Sequence, residues 1–215
     1  MQKPKTIMVI SQKGGVGKST LADELAFSLD RTGTAYAFYD LDGQGGSLHS
    51  GHRDPDPAVA VVDTPAGLDD RTLKVLPQAD LAVVAVNASG RDMSPLKKTF
   101  GVLDEAGVPY VVVVTRCNRY NVANDFIDWL CRKVGTDRVL TVPQAEAVPQ
   151  AYLAKKSVVD YQRGGKCADA VIAFANAVRA RVGLAPEAVK ELRRRDEADS
   201  MMQAPAKVLA DNTGR

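Results

Sequence analysis

Ten residues constrain this chain more than any others: Ser11-Gln12-Lys13-Gly14-Gly15-Val16-Gly17-Lys18-Ser19-Thr20. Upstream, Thr6-Ile7-Met8-Val9-Ile10 is short, apolar and β-branched, which is the composition of a buried strand. Downstream, Leu21, Leu25 and Leu29 recur at helical spacing beside Ala22 and Ala26. The glycines therefore sit on a strand-to-helix turn, the context in which a glycine-rich loop cradles phosphate. Glycine lets the backbone approach an anion and turn its N–H groups inward. The helix that follows adds unpaired N–H donors and the positive end of its dipole. Lys18 can then reach β- and γ-phosphates, and the Ser19 hydroxyl is placed for Mg²⁺.

Further strands alternate with helices. Tyr36-Ala37-Phe38-Tyr39-Asp40-Leu41-Asp42 reads as a strand that ends in two acids, followed by the mobile loop Gly43-Gln44-Gly45-Gly46-Ser47. Val59-Ala60-Val61-Val62-Asp63-Thr64-Pro65-Ala66-Gly67 reads as another. Leu81 to Asn87, Pro109 to Val114 and Arg138 to Pro143 supply three more. Ser94-Pro95 opens a helix with an N-cap and a proline at its first position, and Leu96, Phe100 and Leu103 form its stripe. Phe126, Trp129, Leu130 and Val134 pattern a second helix; Val171, Ile172, Ala175 and Val178 pattern a last one, which Gly183 ends. The alternation predicts a three-layer α/β fold with a mostly parallel central sheet flanked by helices, and the phosphate loop after its first strand makes this a P-loop NTPase fold. Ligands of such sheets lie at the carboxyl ends of the strands, so Lys18, Asp42 and Asp63 should converge.

Between Asp42 and the next strand only residues 43–58 remain. That suffices for a parallel crossover of about a dozen residues and for little else. His49 and His52 have an H-x-x-H spacing with Asp54 nearby, but no helix or supporting pattern favours metal ligation over loop polarity. The formal charge of +2 is too small to imply nucleic-acid binding from bulk electrostatics, so any such binding needs a local patch. Cys117, Cys131 and Cys167 are odd in number and lack a C-x-x-C pair, which fits a reducing cytosol and argues against a disulfide framework or a zinc site. No apolar run approaches the ~20 residues of a membrane span, and the N-terminus lacks a signal-peptide layout.

The strict phosphate-loop pattern would place glycine at position 12, where this chain has Gln12 followed by Lys13. Lys-Gly-Gly-Val-Gly-Lys-Ser resembles the deviant Walker A motif of the ParA/MinD ATPases. Asp-Leu-Asp-Gly-Gln-Gly resembles their switch segment, with Gly43 where proline is usual, and the run ending in Asp63-Thr64-Pro65 resembles their Walker B segment. The resemblance spans roughly residues 5 to 182. It implies that ATP is held by Lys13, Gly14, Gly15, Val16, Gly17, Lys18, Ser19 and Thr20, with Asn118 or Arg116 near the base and Pro143 in the loop around the purine. It implies Mg²⁺ on Ser19 and, through water, on Asp63. Lys13, Lys18 and Asp42 become the catalytic set: the lysines stabilise developing charge, Asp42 orients the attacking water, and Asp40 supports it. Gly67 lets a switch backbone near the γ-phosphate. Lys13 is expected to cross into a partner subunit, so that a pair of ATP molecules is sandwiched in a homodimer. The segment 151–161 resembles a late family motif, with Ser157 in place of proline.

The resemblance also implies a partition-type function in the cytoplasm, with nucleoid association through nonspecific DNA. A ParB-like or other activator protein would stimulate hydrolysis, and a plasmid or other cargo would be segregated or positioned. A MinD-like or conjugation or polar-localisation ATPase without DNA binding is the alternative. A P-loop biosynthetic ligase is a further one, opposed by Lys13 and by the lack of a substrate-pocket insertion. An iron-protein reading fails because no cysteine falls just after the switch motifs. The chain divides into a P-loop ATPase domain over 1–183 and a charged helix with a frayed tail over 184–215. In that tail Lys190, Arg193 and Arg194 share a helical side that could grip phosphates, diluted by Glu187, Glu191, Asp196 and Glu197. Met201, Met202, Val208 and Leu209 are too sparse for a membrane-anchoring helix.

Overall fold

The computed structural model describes residues 3–43, 45–88, 93–118 and 121–188. Its elements follow in the order β1 (Lys5–Ser11), α1 (Lys18–Arg31), β2 (Tyr36–Asp40), β3 (Val59–Ala66), α2 (Asp70–Val75), β4 (Leu81–Asn87), α3 (Met93–Glu105), β5 (Tyr110–Cys117), α4 (Asn121–Val134), β6 (Val139–Pro143), α5 (Ala147–Leu153), α6 (Val158–Tyr161) and α7 (Lys166–Arg181). Single 3-10 turns at Leu76–Gln78 and Thr136–Arg138 lead into β4 and β6. The strands form one six-stranded sheet in the order β2-β3-β1-β4-β5-β6, with every neighbouring pair parallel.

Alternation along each strand divides the core into two layers. Ile7 and Val9 of β1 face a cluster with Leu21, Leu25 and Leu29 of α1 and with Val171, Phe174 and Val178 of α7. Met8 and Ile10 face the opposite cluster, with Leu96, Phe100 and Leu103 of α3 and with Phe126 and Leu130 of α4. β4 repeats the pattern, Val83 on the first side and Val84 on the second. Central parallel strands buried on both faces need such continuous apolar runs, which is why these segments read so clearly as strands. The strand order reverses about β1: the chain after β1 leads out to β2, and the chain after β3 passes back over to β4. A crevice opens at such a reversal, at the carboxyl end of β1, and the Gly14–Gly17 turn lies there.

Two segments outside the regular elements are fixed by particular contacts. Residues 52–54 lie antiparallel along the outer side of β2, with an isolated bridge between Ala37 and Arg53. The Phe38 N–H donates to the His52 carbonyl at 2.9 Å, and the Asp54 N–H to the Tyr36 carbonyl at 3.0 Å. The Arg53 guanidinium donates to the Phe38 carbonyl and lies 3.8 Å from the centre of the Tyr39 ring. The short 43–58 connection therefore closes the crossover and covers an edge strand as well.

Beyond α7 the chain turns back onto the domain. Leu184 packs against the first core cluster, and Glu187 is 4% exposed. The Glu187 carboxylate accepts from Arg31 Nε at 2.5 Å, from Arg31 Nη2 at 3.2 Å and from the Ser28 hydroxyl at 2.9 Å. Its backbone is clasped by the Asn176 side chain at 2.7 and 3.2 Å. Glu187, which the sequence offered only as an acid diluting the basic side of the tail, thus has its charge buried against Arg31. Lys190, Arg193, Arg194, Met201, Met202, Val208 and Leu209 lie outside the described residues, as does Gln44.

Candidate nucleotide-binding site

The turn after β1 is built for backbone donors. Gly15 (φ 72°) and Gly17 (φ 85°) are left-handed, a conformation that would strain a side-chain-bearing residue. Gly17 is the N-cap of α1 and supplies no side-chain oxygen, and the first turn carries no acid. The N–H groups at the head of this helix thus remain available to an anion, together with the favourable end of the dipole. Side chains from other elements brace the loop. Ser11 Oγ donates to the Lys13 carbonyl at 2.9 Å, and the Gly67 N–H donates to the Ser11 carbonyl at 2.8 Å. Gln12 Nε2 donates to Thr99 Oγ1 of α3. Thr115 Oγ1, at the end of β5, donates to the Val16 carbonyl at 2.6 Å. Lys13 is exposed at the loop.

Lys18 is 6% exposed, and a buried ammonium needs a partner. Its Nζ lies 2.7 Å from Asp63 Oδ1 and 3.6 Å from Asp42 Oδ2. Asp63 is fully buried, and its second oxygen accepts from the Ser47 hydroxyl at 2.8 Å. Asp40 is the register partner of Asp63 across β2 and β3, and its carboxylate accepts the Asp42 N–H at 3.0 Å. Desolvation raises the Asp40 pKa above the ordinary aspartate value, and the neighbouring Asp63 and Asp42 carboxylates push the same way. The expected convergence of Lys18, Asp42 and Asp63 is therefore present. Asp42 lies just past β2, because the strand ends at Asp40.

Ser19 lies half-buried in the first turn of α1. With the Asp63 and Asp42 carboxylates it offers hard oxygen donors, which suit Mg²⁺ rather than a softer ion. Among the described residues no group of three or more His, Cys, Asp or Glu forms a metal cage on its own. His49 and His52 are engaged otherwise. His49 Nδ1 lies 2.8 Å from Asp23 and its Nε2 3.3 Å from Asp30, with its ring edge-on to Phe27, while His52 stacks on Tyr36.

On the opposite side, Arg116 is exposed and left-handed (φ 52°) at a register shift in β5, between Val114 and Cys117. Pro143 closes β6 beside it, its register partner being Cys117, and the Gln144 N–H donates to the Cys117 carbonyl at 3.0 Å. Asn118 follows directly. The expected base-side residues thus share one end of the sheet with the phosphate loop, and Thr115 ties the two parts together. Thr115, Thr99, Ser47 and Asp23 carry no motif signal, since each acts on a residue remote in sequence.

No helix among the described residues is long and apolar enough to cross a membrane. A family model described as the CobQ/CobB/MinD/ParA nucleotide binding domain matches residues 7–158, well over half of the chain. The fold is similar to that of the septum site-determining protein MinD from Pyrococcus horikoshii in complex with Mg-ADP, at 18% identity over 84% of this chain and 98% of that one, TM-score 0.66. It is similar to a putative plasmid partition protein from Borrelia burgdorferi bound to AMPPNP, at 17% identity over 80% and 98%, TM-score 0.60. A Cyanothece McdA–ATP complex superposes with a TM-score of 0.71 at 13% identity, over 87% of this chain and 100% of that one. No curated protein matches the sequence. At these identities the structural likenesses establish the fold.

Proposed function

Because the chain belongs to the CobQ/CobB/MinD/ParA nucleotide-binding family, we propose that it is a ParA-like ATPase whose ATP-bound form is a sandwich dimer. The observation that carries this reading is the buried Lys18 held between Asp63 and Asp42 at the head of an uncapped helix. The N–H groups from Gly14 to Lys18, with Ser19 and Thr20, hold the phosphates. Lys18 exchanges its carboxylate partners for β- and γ-oxygens. Ser19 and Asp63 hold Mg²⁺, which neutralises charge on the phosphates when bound. Asp42 orients a water for in-line attack on the γ-phosphorus; the bond to the β-bridging oxygen breaks, and ADP and phosphate leave. Asn118 and Pro143 flank the base. Lys13, exposed on the loop, reaches the ATP of the other subunit.

In this reading the ATP dimer binds DNA without sequence preference. An activator protein of ParB type stimulates hydrolysis and release, and a plasmid or another large cargo is segregated or positioned in the cytoplasm. One observation favours a positioning ATPase that does not use DNA. The net charge is only +2, and the tail lysines and arginines are interleaved with acids. Salt-sensitive binding of the ATP form to random duplex DNA separates the two readings.

The decisive experiment is analytical sedimentation with ADP, ATP and a nonhydrolysable analogue. Wild type should pair only with the triphosphates, and Lys13→Ala should remain monomeric with all of them. Self-association that ignores both the nucleotide and the charge at position 13 would exclude the sandwich dimer.

A further inference from the structure

We propose that Ser47 is a positioning residue for the metal side of this site, joining the segment after the switch acids to the Asp63 carboxylate. The inference rests on the ATPase reading above. Asp63 has two oxygens, and their partners differ in kind. Oδ1 is held by Lys18 at 2.7 Å, and Oδ2 by the Ser47 hydroxyl at 2.8 Å. Lys18 is required at the phosphates once a triphosphate is bound, so its bond to Oδ1 is one that nucleotide exchanges. Ser47 is a neutral donor that phosphate does not compete for. It can keep Oδ2 while Oδ1 turns to a water of the magnesium shell. A carboxylate fixed through one oxygen presents the other in a set direction, which is how outer partners tune a metal site.

Ser47 is not left to find Asp63 by chance. The two residues after it are fastened to α1 by one buried carboxylate, Asp23, which is 4% exposed. Asp23 accepts the Leu48 N–H at 3.0 Å and the His49 N–H at 3.1 Å, and lies 2.8 Å from His49 Nδ1. His49 is wedged edge-on against Phe27 of the same helix, at 4.3 Å between ring centres. On the other flank, Gly45 and Gly46 are left-handed and turn the chain back from Asp42. Ser47 to His49 are thus tied down at Asp63 and at α1, the helix that begins in the phosphate loop. Metal occupancy is thereby read by the same segment that carries Asp42.

The test is titration of Mg²⁺ against a fluorescent ATP analogue bound to the full chain, followed by anisotropy, with EDTA as the metal-free reference. Ser47→Ala should keep the wild-type affinity in EDTA and should need about tenfold more Mg²⁺ for half-maximal enhancement, the cost of one hydrogen bond to a charged group. Ser47→Thr, which keeps the hydroxyl, should restore the wild-type midpoint. A Ser47→Ala midpoint equal to wild type overturns the inference alone. An equal loss of affinity with and without metal also overturns it, because Ser47 would then act through the phosphate loop. A wild-type chain whose ATP binding ignores Mg²⁺ overturns the ATPase reading and this inference together.

Discussion

Replacing Glu187 with alanine should destabilise the whole domain, although Glu187 lies far along the chain from the phosphate loop. Arg31 and Glu187 are 156 positions apart and form a two-pronged pair, Nε to Oε1 at 2.5 Å and Nη2 to Oε2 at 3.2 Å. Their side chains are 11% and 3% exposed. Burial by itself would lower the Arg31 pKa; the Glu187 hydrogen bond and charge reverse this and leave it raised. Removing one member of such a pair costs about 3–5 kcal/mol, since the other charge is left buried. Arg31 retains Asp160 at 3.2 Å, which favours the lower end, and the Ser28 hydroxyl loses its acceptor. The expected cost is about 3 kcal/mol, or a melting temperature lower by about 6–12 °C for a domain of this size. Urea and thermal denaturation of wild type, Glu187→Ala, Glu187→Leu, Arg31→Leu and the Arg31→Leu/Glu187→Leu double variant measure it. The double variant should be less destabilised than the sum of the singles, because two apolar side chains leave no orphan charge. A Glu187→Ala protein melting within about 2 °C of wild type would refute the reasoning.

Thr115→Val should weaken binding of an ATP analogue about tenfold, by leaving the Val16 carbonyl without its donor, and an unchanged dissociation constant would rule out the brace. Glu24 tests the pH dependence. Burial raises its pKa above 4.5, against the opposing hydrogen bonds from Ser157 and Val158. The stability it contributes is therefore full below pH 4.5 and is lost as pH rises through its folded value. Glu24→Gln, neutral throughout, should gain stability relative to wild type as the pH rises above 4.5 in urea titrations, and a difference independent of pH would argue against a buried charge there.

The parts legible in the sequence are those whose signal is local. Thr6 to Ile10 and Leu81 to Asn87 read as strands because both of their faces are buried, so apolar residues run without interruption. Lys18 and Asp63, 2.7 Å apart, were legible because glycine spacing and a strand end mark them. The α2 helix was not, having only six residues and taking its start from a cap, the Asp69 carboxylate accepting the Thr72 N–H. Thr115 and Ser47 were hidden for another reason: a hydroxyl on a carbonyl 99 positions away leaves no pattern along the chain. The Glu187 pairing was hidden in the same way, since its partner Arg31 lies 156 positions away.

The antiparallel strip formed by residues 52–54 bears on how two copies can meet. By occupying hydrogen-bonding groups on the flank of β2, it denies a second molecule the chance to zip on there and extend the sheet side by side. Lateral growth into a continuous ribbon is blocked on that flank, so the proposed pairing of two copies would have to use a surface other than this sheet edge.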